Sequence, residues 1–184
     1  AAQGIGAAAA ADIDTTIGTL VATNSTTGAI FIQETSGLII GGTGVRTLAG
    51  DGNINIDVDA GALTVNSVVT AHGSGTVTLN ADAGTVTLAA AVRSTTGAVA
   101  VTGDVIAQNA GGNISTTGAG TITVTADTGA ITMADGTSSS TADGTISYSA
   151  ATDVALSLLT SSAAAAIKVT ADSEANGSGA ITDN

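Results

Sequence analysis

A five-residue pattern, Gly or Ala, any residue, an aliphatic, any residue, then an aliphatic or Tyr, returns at residues 28, 52, 75, 97, 120, 144 and 165. The gaps between these starts are 24, 23, 22, 23, 24 and 21 residues. A self-similarity of about 23 residues that carries a strand rather than a helix marks a solenoid, in which each repeat is one coil laid on the last. The expected fold is therefore all-β: a parallel β-helix of about seven to eight coils, with residues 1–184 as a single domain.

The paired aliphatics are Ile30/Ile32, Ile54/Ile56, Val77/Leu79, Val99/Val101, Ile122/Val124, Ile146/Tyr148 and Ile167/Val169. Alternation puts each pair on one side of a strand and leaves Asn53/Asn55, Thr76/Thr78, Ala98/Ala100 and Thr121/Thr123 on the other. About nine residues after each start a second strand is expected, at residues 37–40, 61–65, 84–88, 129–133 and 153–158, with a displaced version near Val105 and Ile106. A third segment is anchored by Val45, Val68, Val92, Ile114 and Leu158, with Thr137 in the place of an aliphatic. Three short strands and three turns per coil predict a triangular cross-section. At about 4.8 Å per coil the stack would be roughly 38 Å long.

Composition agrees with a narrow core. Phe31 and Tyr148 are the only aromatics, and there is no Trp, Pro or Cys. Irregular globular cores use aromatics to fill space, whereas stacked Val, Ile, Leu and Ala fill a prism. Abundant Gly, Ser and Thr resemble a disordered composition, but β-branched residues recurring in phase offset chain entropy as scattered ones do not.

Two stretches break the rhythm. Residues 1–14 are Ala-rich and weakly patterned; Ile13 is expected on a second strand and Leu20 and Val21 on a third, while 6–11 reads as a small-residue coil, a short capping helix or disorder. Residues 171–179 delay the next strand, so a loop of about five extra residues is expected there. The chain begins at Ala rather than Met, which is expected of a mature product or a slice of a longer protein.

Net charge is −12, with Arg46, Arg93 and Lys168 as the only basic residues besides His72. Such a balance repels nucleic acid and anionic lipid surfaces, and no stretch is apolar for long enough to span a bilayer. Absence of Cys removes thiol chemistry and disulfides.

Asp recurs at the eighth position of the coil, as Asp59, Asp82, Asp104, Asp127 and Asp172, with Thr35 and Ala151 as exceptions. Stacked carboxylates repel, so either Ca²⁺ or local backbone N–H groups must compensate. Asp82-Ala83-Gly84 and Asp127-Thr128-Gly129 read as turns in which Asp caps the backbone and Gly takes a positive φ; turn capping is preferred to calcium. The Gly-Gly-x-Gly-x-Asp rhythm of calcium-binding solenoids is missing.

Other sites are weaker. Outward Thr76/Thr78, Thr85/Thr87 and Thr121/Thr123 resemble ice-binding ranks, but Asn53/Asn55, Ala98/Ala100 and Ala166/Lys168 interrupt them. His72, Arg46 and Arg93 fall in or near the third segment on different coils, without the carboxylate cluster a polysaccharide-cleaving site needs, so no enzyme is expected. Asn24, Asn113 and Asn176 head sequons that chance alone explains in so Ser/Thr-rich a chain.

The repeats GTVTLNADAGTVTLAA (75–90) and GTITVTADTGAITMADG (120–136) and the closing GSGAITDN (177–184) resemble those of giant bacterial exoproteins similar to filamentous haemagglutinin and two-partner-secretion adhesins. The resemblance implies a right-handed coil on a cell surface, acting as fibre, stalk or adhesin; the amino-terminal secretion domain of such proteins has no counterpart here. Expected partners are further copies stacked end to end, or continuation in a longer chain, with a glycan or surface target as the alternative.

Overall fold

The structure, a computed structural model, describes residues 3–7, 11–162 and 165–184. Among them there is no helix, and every strand pairing is parallel. The strands fall into three stacks. On the first face Ile30 pairs with Ile54, Ile54 with Val77, Val77 with Val99, Val99 with Ile122, Ile122 with Ile146 and Ile146 with Ile167. These are the partners that the recurring pattern predicts, at the same six spacings. The chain is a parallel β-solenoid of three strand segments per coil.

The second face stacks Leu38, Leu63, Val86, Ile106, Ile131, Val154 and Ile181 in register. The third stacks Val45, Val69, Val92, Ile114, Ser139 and Leu159. Some strands run over a corner without a break: Val77–Leu88 and Val99–Gln108 serve the first and second faces, and Leu38–Thr47 the second and third. Alternation does what the sequence pattern requires. Along Ile54–Val58 the residues read buried, half-buried, buried, half-buried, buried, and one apolar column after another fills the prism. Burying an aliphatic side chain stabilises by about 1.5–3 kcal/mol, but a single rung does not offset its own ordering entropy, so each coil depends on its neighbours.

Three expectations about phase are corrected. Val69, not Val68, is the inward anchor of its third segment. Ser139, not Thr137, replaces an aliphatic, since it pairs with Ile114. Leu159, not Leu158, continues that column, while Leu158 faces solvent. At Ser139 and Leu159 the other inward position is polar, Thr141 and Ser161, which weakens the apolar alternation; at Val69 it is the small Ala71, and two adjacent valines leave the phase open.

The amino-terminal coil is also rearranged. Ile13–Thr15 belongs to the first face, opposite Ile32, Gln33 and Glu34, rather than the second. Leu20 pairs with Ile40 on the second face and Ala22 with Val45 on the third, which leaves Val21 on the corner between them, exposed. Ile5 makes a parallel bridge to Ile30, so two parts of this coil stack on the same strand, one through Ile5 and the other through Ile13. Residues 8–10, within the segment read as coil, cap or disorder, lie outside the described residues.

Near the other end Ile167 and Ile181 occupy the first- and second-face columns. Fourteen residues separate them, against seven to nine between the same columns in complete coils. The surplus is the loop at 171–179, closed by Asp172 with φ 56° and Ala175 with φ 55°.

Candidate functional surfaces

The eighth-position aspartates do share an edge. Val58 pairs with Ala81, Ala81 with Gly103 and Gly103 with Ala126, so Asp59, Asp82, Asp104 and Asp127 follow one another on four successive rungs at the corner between the first and second faces. Three of the four carboxylates accept side-chain bonds. Gln33 Nε2 donates to Asp59 Oδ1 at 2.8 Å, Asn80 Nδ2 donates to Asp82, and Thr128 Oγ1 donates to Asp104 Oδ1 at 3.1 Å. Among the described residues no three His, Asp or Glu side chains converge as a metal group.

Of the five eighth-position aspartates, Asp172 is the one whose side chain caps a turn among the described residues, accepting Asn176 N–H and Gly177 N–H at 2.9 Å each. Gly84 and Gly129 are not left-handed, contrary to the turn reading; they are glycine for lack of room. A Cβ on Gly84 would stand 2.0 Å from Gly61 O, and one on Gly129 2.6 Å from Val105 Cγ2.

Asp57, on the first face beside this edge, has its carboxyl pushed above the usual range by burial, with the Asp82, Asp59 and Asp12 charges adding to it and a 2.9 Å bond from Asn80 Nδ2 opposing. Carboxylates on a shared lattice thus crowd one another.

Three interior polar groups escaped sequence reasoning. The first is a ladder at the third corner, inside the prism: Asn24, Thr47, Ser94, Thr116 and Thr141 are all buried. Thr47 Oγ1 donates to Gly52 O at 3.2 Å, Ser94 Oγ to Gly75 O at 2.6 Å, and Thr116 and Thr141 Oγ1 to Gly120 O at 3.0 Å each. Ser94 and Thr141 also accept Gly97 N–H and Gly144 N–H. The ladder satisfies corner backbone groups that coil stacking leaves over. Asn24 belongs to it, donating to Gly28 O at 2.7 Å, so this sequon asparagine is sealed inside; Asn176 is exposed.

The second is a core network. Tyr148 Oη donates to Gln108 Oε1 at 2.9 Å and shares a 2.6 Å bond with Ser139 Oγ. Gln108 Nε2 donates to Ser138 O at 3.1 Å. Burial drives the Tyr148 phenol far above its ordinary range. Ser139, small where other coils carry Val, Ile or Leu, frees the volume that the ring takes.

The third is Glu34, buried on the inward column that Val58, Ala81, Gly103 and Ala126 continue. Desolvation raises its pKa, but bonds from Ile17 N–H (2.8 Å), Thr15 Oγ1 (2.6 Å), Ser36 N–H and Ser36 Oγ outweigh it, and the carboxyl lies below its usual range. Glu34 thereby ties the first coil to the second.

Both arginines lie on the third face, whereas Lys168 lies on the first. Arg46 pairs with Thr70, and Thr70 with Arg93, in one outward column. Arg46 Nε is buried with no hydrogen-bond partner. His72, two residues beyond Thr70, holds Nδ1 2.8 Å from Gly50 O. Thr residues are dispersed: Thr78 and Thr123 lie outward on the first face, whereas the second-face column reads Ile39, Thr64, Thr87, Ala107, Thr132, Ala155, Thr182.

Among the described residues the surface holds no cavity, and no helix is long and apolar enough to cross a membrane. Chemically, then, this molecule offers faces, edges and ends. No family model, curated protein or solved structure matches the chain.

Proposed function

We propose that this chain is a structural module of an extracellular fibre, stalk or surface filament, lengthened by stacking of coils between copies or along a longer polypeptide. The state of the two end rungs carries the reading. Among the described residues, Ile13–Thr15 pairs only inward with Ile30–Glu34, Ile167–Thr170 only with Ile146–Ala150, and Ile181–Asp183 only with Val154–Leu156. No described strand pairs with their outer edges, and Ile13, Ile167 and Ile181 are exposed at 41%, 44% and 55%. Such edges recruit strands. A contact of one end with the other does not close on itself and generates filaments.

The repeats that resemble surface exoproteins support an extracellular setting, as does an acidic coat that keeps a long rod soluble. A second reading is an adhesin, for which the loop at 171–179 speaks: it stands off the stack and exposes Glu174, Asn176 and Ser178, groups suited to hydrogen-bonding a glycan.

Negative-stain microscopy of the concentrated protein tests the first reading. Rods a few nanometres wide that lengthen with concentration are expected; discrete short particles at every concentration would overturn it. A glycan array on which Asn176→Ala and the parent chain bind alike, or not at all, would remove the second.

A further inference from the structure

Charge is unevenly divided around the prism. Every Asp and Glu of the chain lies outside the third-face strands Val69–Ala71, Val92–Ser94, Ile114–Thr116, Ser138–Thr141 and Leu158–Ser161 and outside residues 44–48. That face carries Arg46 and Arg93, two of the three Lys and Arg residues in the chain, and His72 stands at its rim. Across the prism, the corner between the first and second faces carries Asp59, Asp82, Asp104 and Asp127 on consecutive rungs. Among the described residues no carboxylate lies within 4.0 Å of a basic side chain. No ion pair joins the arginines to the aspartate edge, and the two sets of charge stand on opposite sides of one body.

We propose that copies of this chain pack side by side, the aspartate edge of one against the arginine face of the next. The rung supplies the match. Thr70 separates Arg46 from Arg93, which puts them two rungs apart, roughly 9.5 Å. Asp59 and Asp104, or Asp82 and Asp127, are likewise two rungs apart, and the spacing is common to both because the same backbone stacking generates it. Neither partner has to bend. The contact is heterologous: one copy of a pair keeps its face free and the other its edge, so pairs extend into rows.

The net charge of −12 opposes approach, but its reach is limited to a Debye length, about 8 Å at physiological ionic strength; at contact the local opposite charges decide. Exposed pairs are individually weak, so the contact is faint between single copies and firm where many rungs act together. This inference concerns the flanks and stands apart from the end-to-end reading: on a grid, the ends govern rod length and the flanks govern rows.

Sedimentation equilibrium at near-millimolar protein tests it, with folding of each variant checked by melting. Arg46→Gln/Arg93→Gln is compared with Thr64→Asp/Thr132→Asp, which lowers net charge by the same two units on the second face. The arginine variant is expected to weaken self-association about two- to thirty-fold beyond the control, the range that two exposed pairs carry. Arg46→Glu/Arg93→Glu and a variant bearing Asp59→Lys, Asp82→Lys, Asp104→Lys and Asp127→Lys should each fail alone and associate when mixed. Equal weakening in variant and control, with no association on mixing, overturns the proposal. So does an unchanged self-association in a variant that no longer binds immobilised polyglutamate, which reassigns the patch to a foreign polyanion.

Discussion

Gly52 lies so close to Gly28 on the neighbouring coil that a Cβ on Gly52 would stand 1.8 Å from the Gly28 carbonyl oxygen. The same crowding recurs at this corner on each following coil: 2.3 Å for Gly75 against Gly52 O, 2.3 Å for Gly97 against Gly75 O, and 2.0 Å for Gly120 against Gly97 O and for Gly144 against Gly120 O. Gly52, Gly75, Gly97, Gly120 and Gly144 have ordinary φ. What they supply is absence of a side chain where two backbones touch, and the column they form is the corner on which coils rest.

Gly120→Ala should consequently cost about 1–3 kcal/mol, the range for overpacking that forces a backbone shift. Gly18→Ala is the contrast, since nothing lies within 4 Å of its Cβ position and its φ is ordinary. It is expected to be neutral, or to stabilise by up to about 1 kcal/mol through the unfolded chain. Urea denaturation of the two variants checks both signs.

Tyr148, Gln108 and Ser139 act as a unit. Tyr148→Phe leaves Gln108 Oε1 and Ser139 Oγ short of a partner inside the core, and Gln108→Leu strands the phenol from its acceptor. Each single change is expected to destabilise by about 1–3 kcal/mol, and the double change by less than their sum. A double-mutant cycle reads the difference directly; simple additivity would mean that the bond contributes nothing.

Two carboxylates give opposite pH dependence. The folded-state pKa of Glu34 is lowered, so its contribution is fully present above the unfolded value of about 4.3 and is lost as pH falls through the folded value. Glu34→Gln should flatten acid denaturation in that interval and free the amides of Ile13–Thr15 to exchange. Asp57 is raised, so its ionised form opposes folding at neutral pH. Asp57→Asn should raise the melting temperature at pH 7, and the gain should vanish as pH drops below the raised value. Melting curves from pH 3 to 8 would separate the two.

Asp183 stands at the end of an inward column that runs Leu20, Ile40, Val65, Leu88, Gln108, Met133, Leu156. Any rung laid on that end must bury this carboxylate, which is costly without a partner. Asp183→Leu is therefore expected to lengthen rods and to lower the concentration at which they appear. Shorter rods would show that the second-face column plays no part in end contact.

The first-face stack was legible in the residues because its inward positions are aliphatic in pairs, as at Ile54/Ile56, and a glycine precedes each pair. The third face was legible only in outline. Its second inward position carries Thr47, Ala71, Ser94, Thr116, Thr141 or Ser161, polar or small throughout, so the apolar alternation that locates a strand is weakened and Val68 or Leu158 fits the pattern as well as its neighbour does. Glu34, Gln108 and Ser139 were invisible for a related reason: an inward polar residue reads as an interruption until its partner, far along the chain, is known. The aspartate edge and the arginine column were readable as phases of the repeat, but that they stand on opposite sides of one prism required the third face to be placed.

Distances between spin labels on the outer first face test the stacked coil most directly, because the chain has no native Cys to compete for label. Asn55, Thr78, Ala100, Thr123, Ser147 and Lys168 lie in one outward column on successive rungs. Labels at 55 and 123, 55 and 147, and 55 and 168 should report narrow distributions that rise in equal steps of about 4.8 Å, from three rungs to five. Broad distributions, or steps that do not increase with the number of rungs, would contradict the fold and the functional reading built on it.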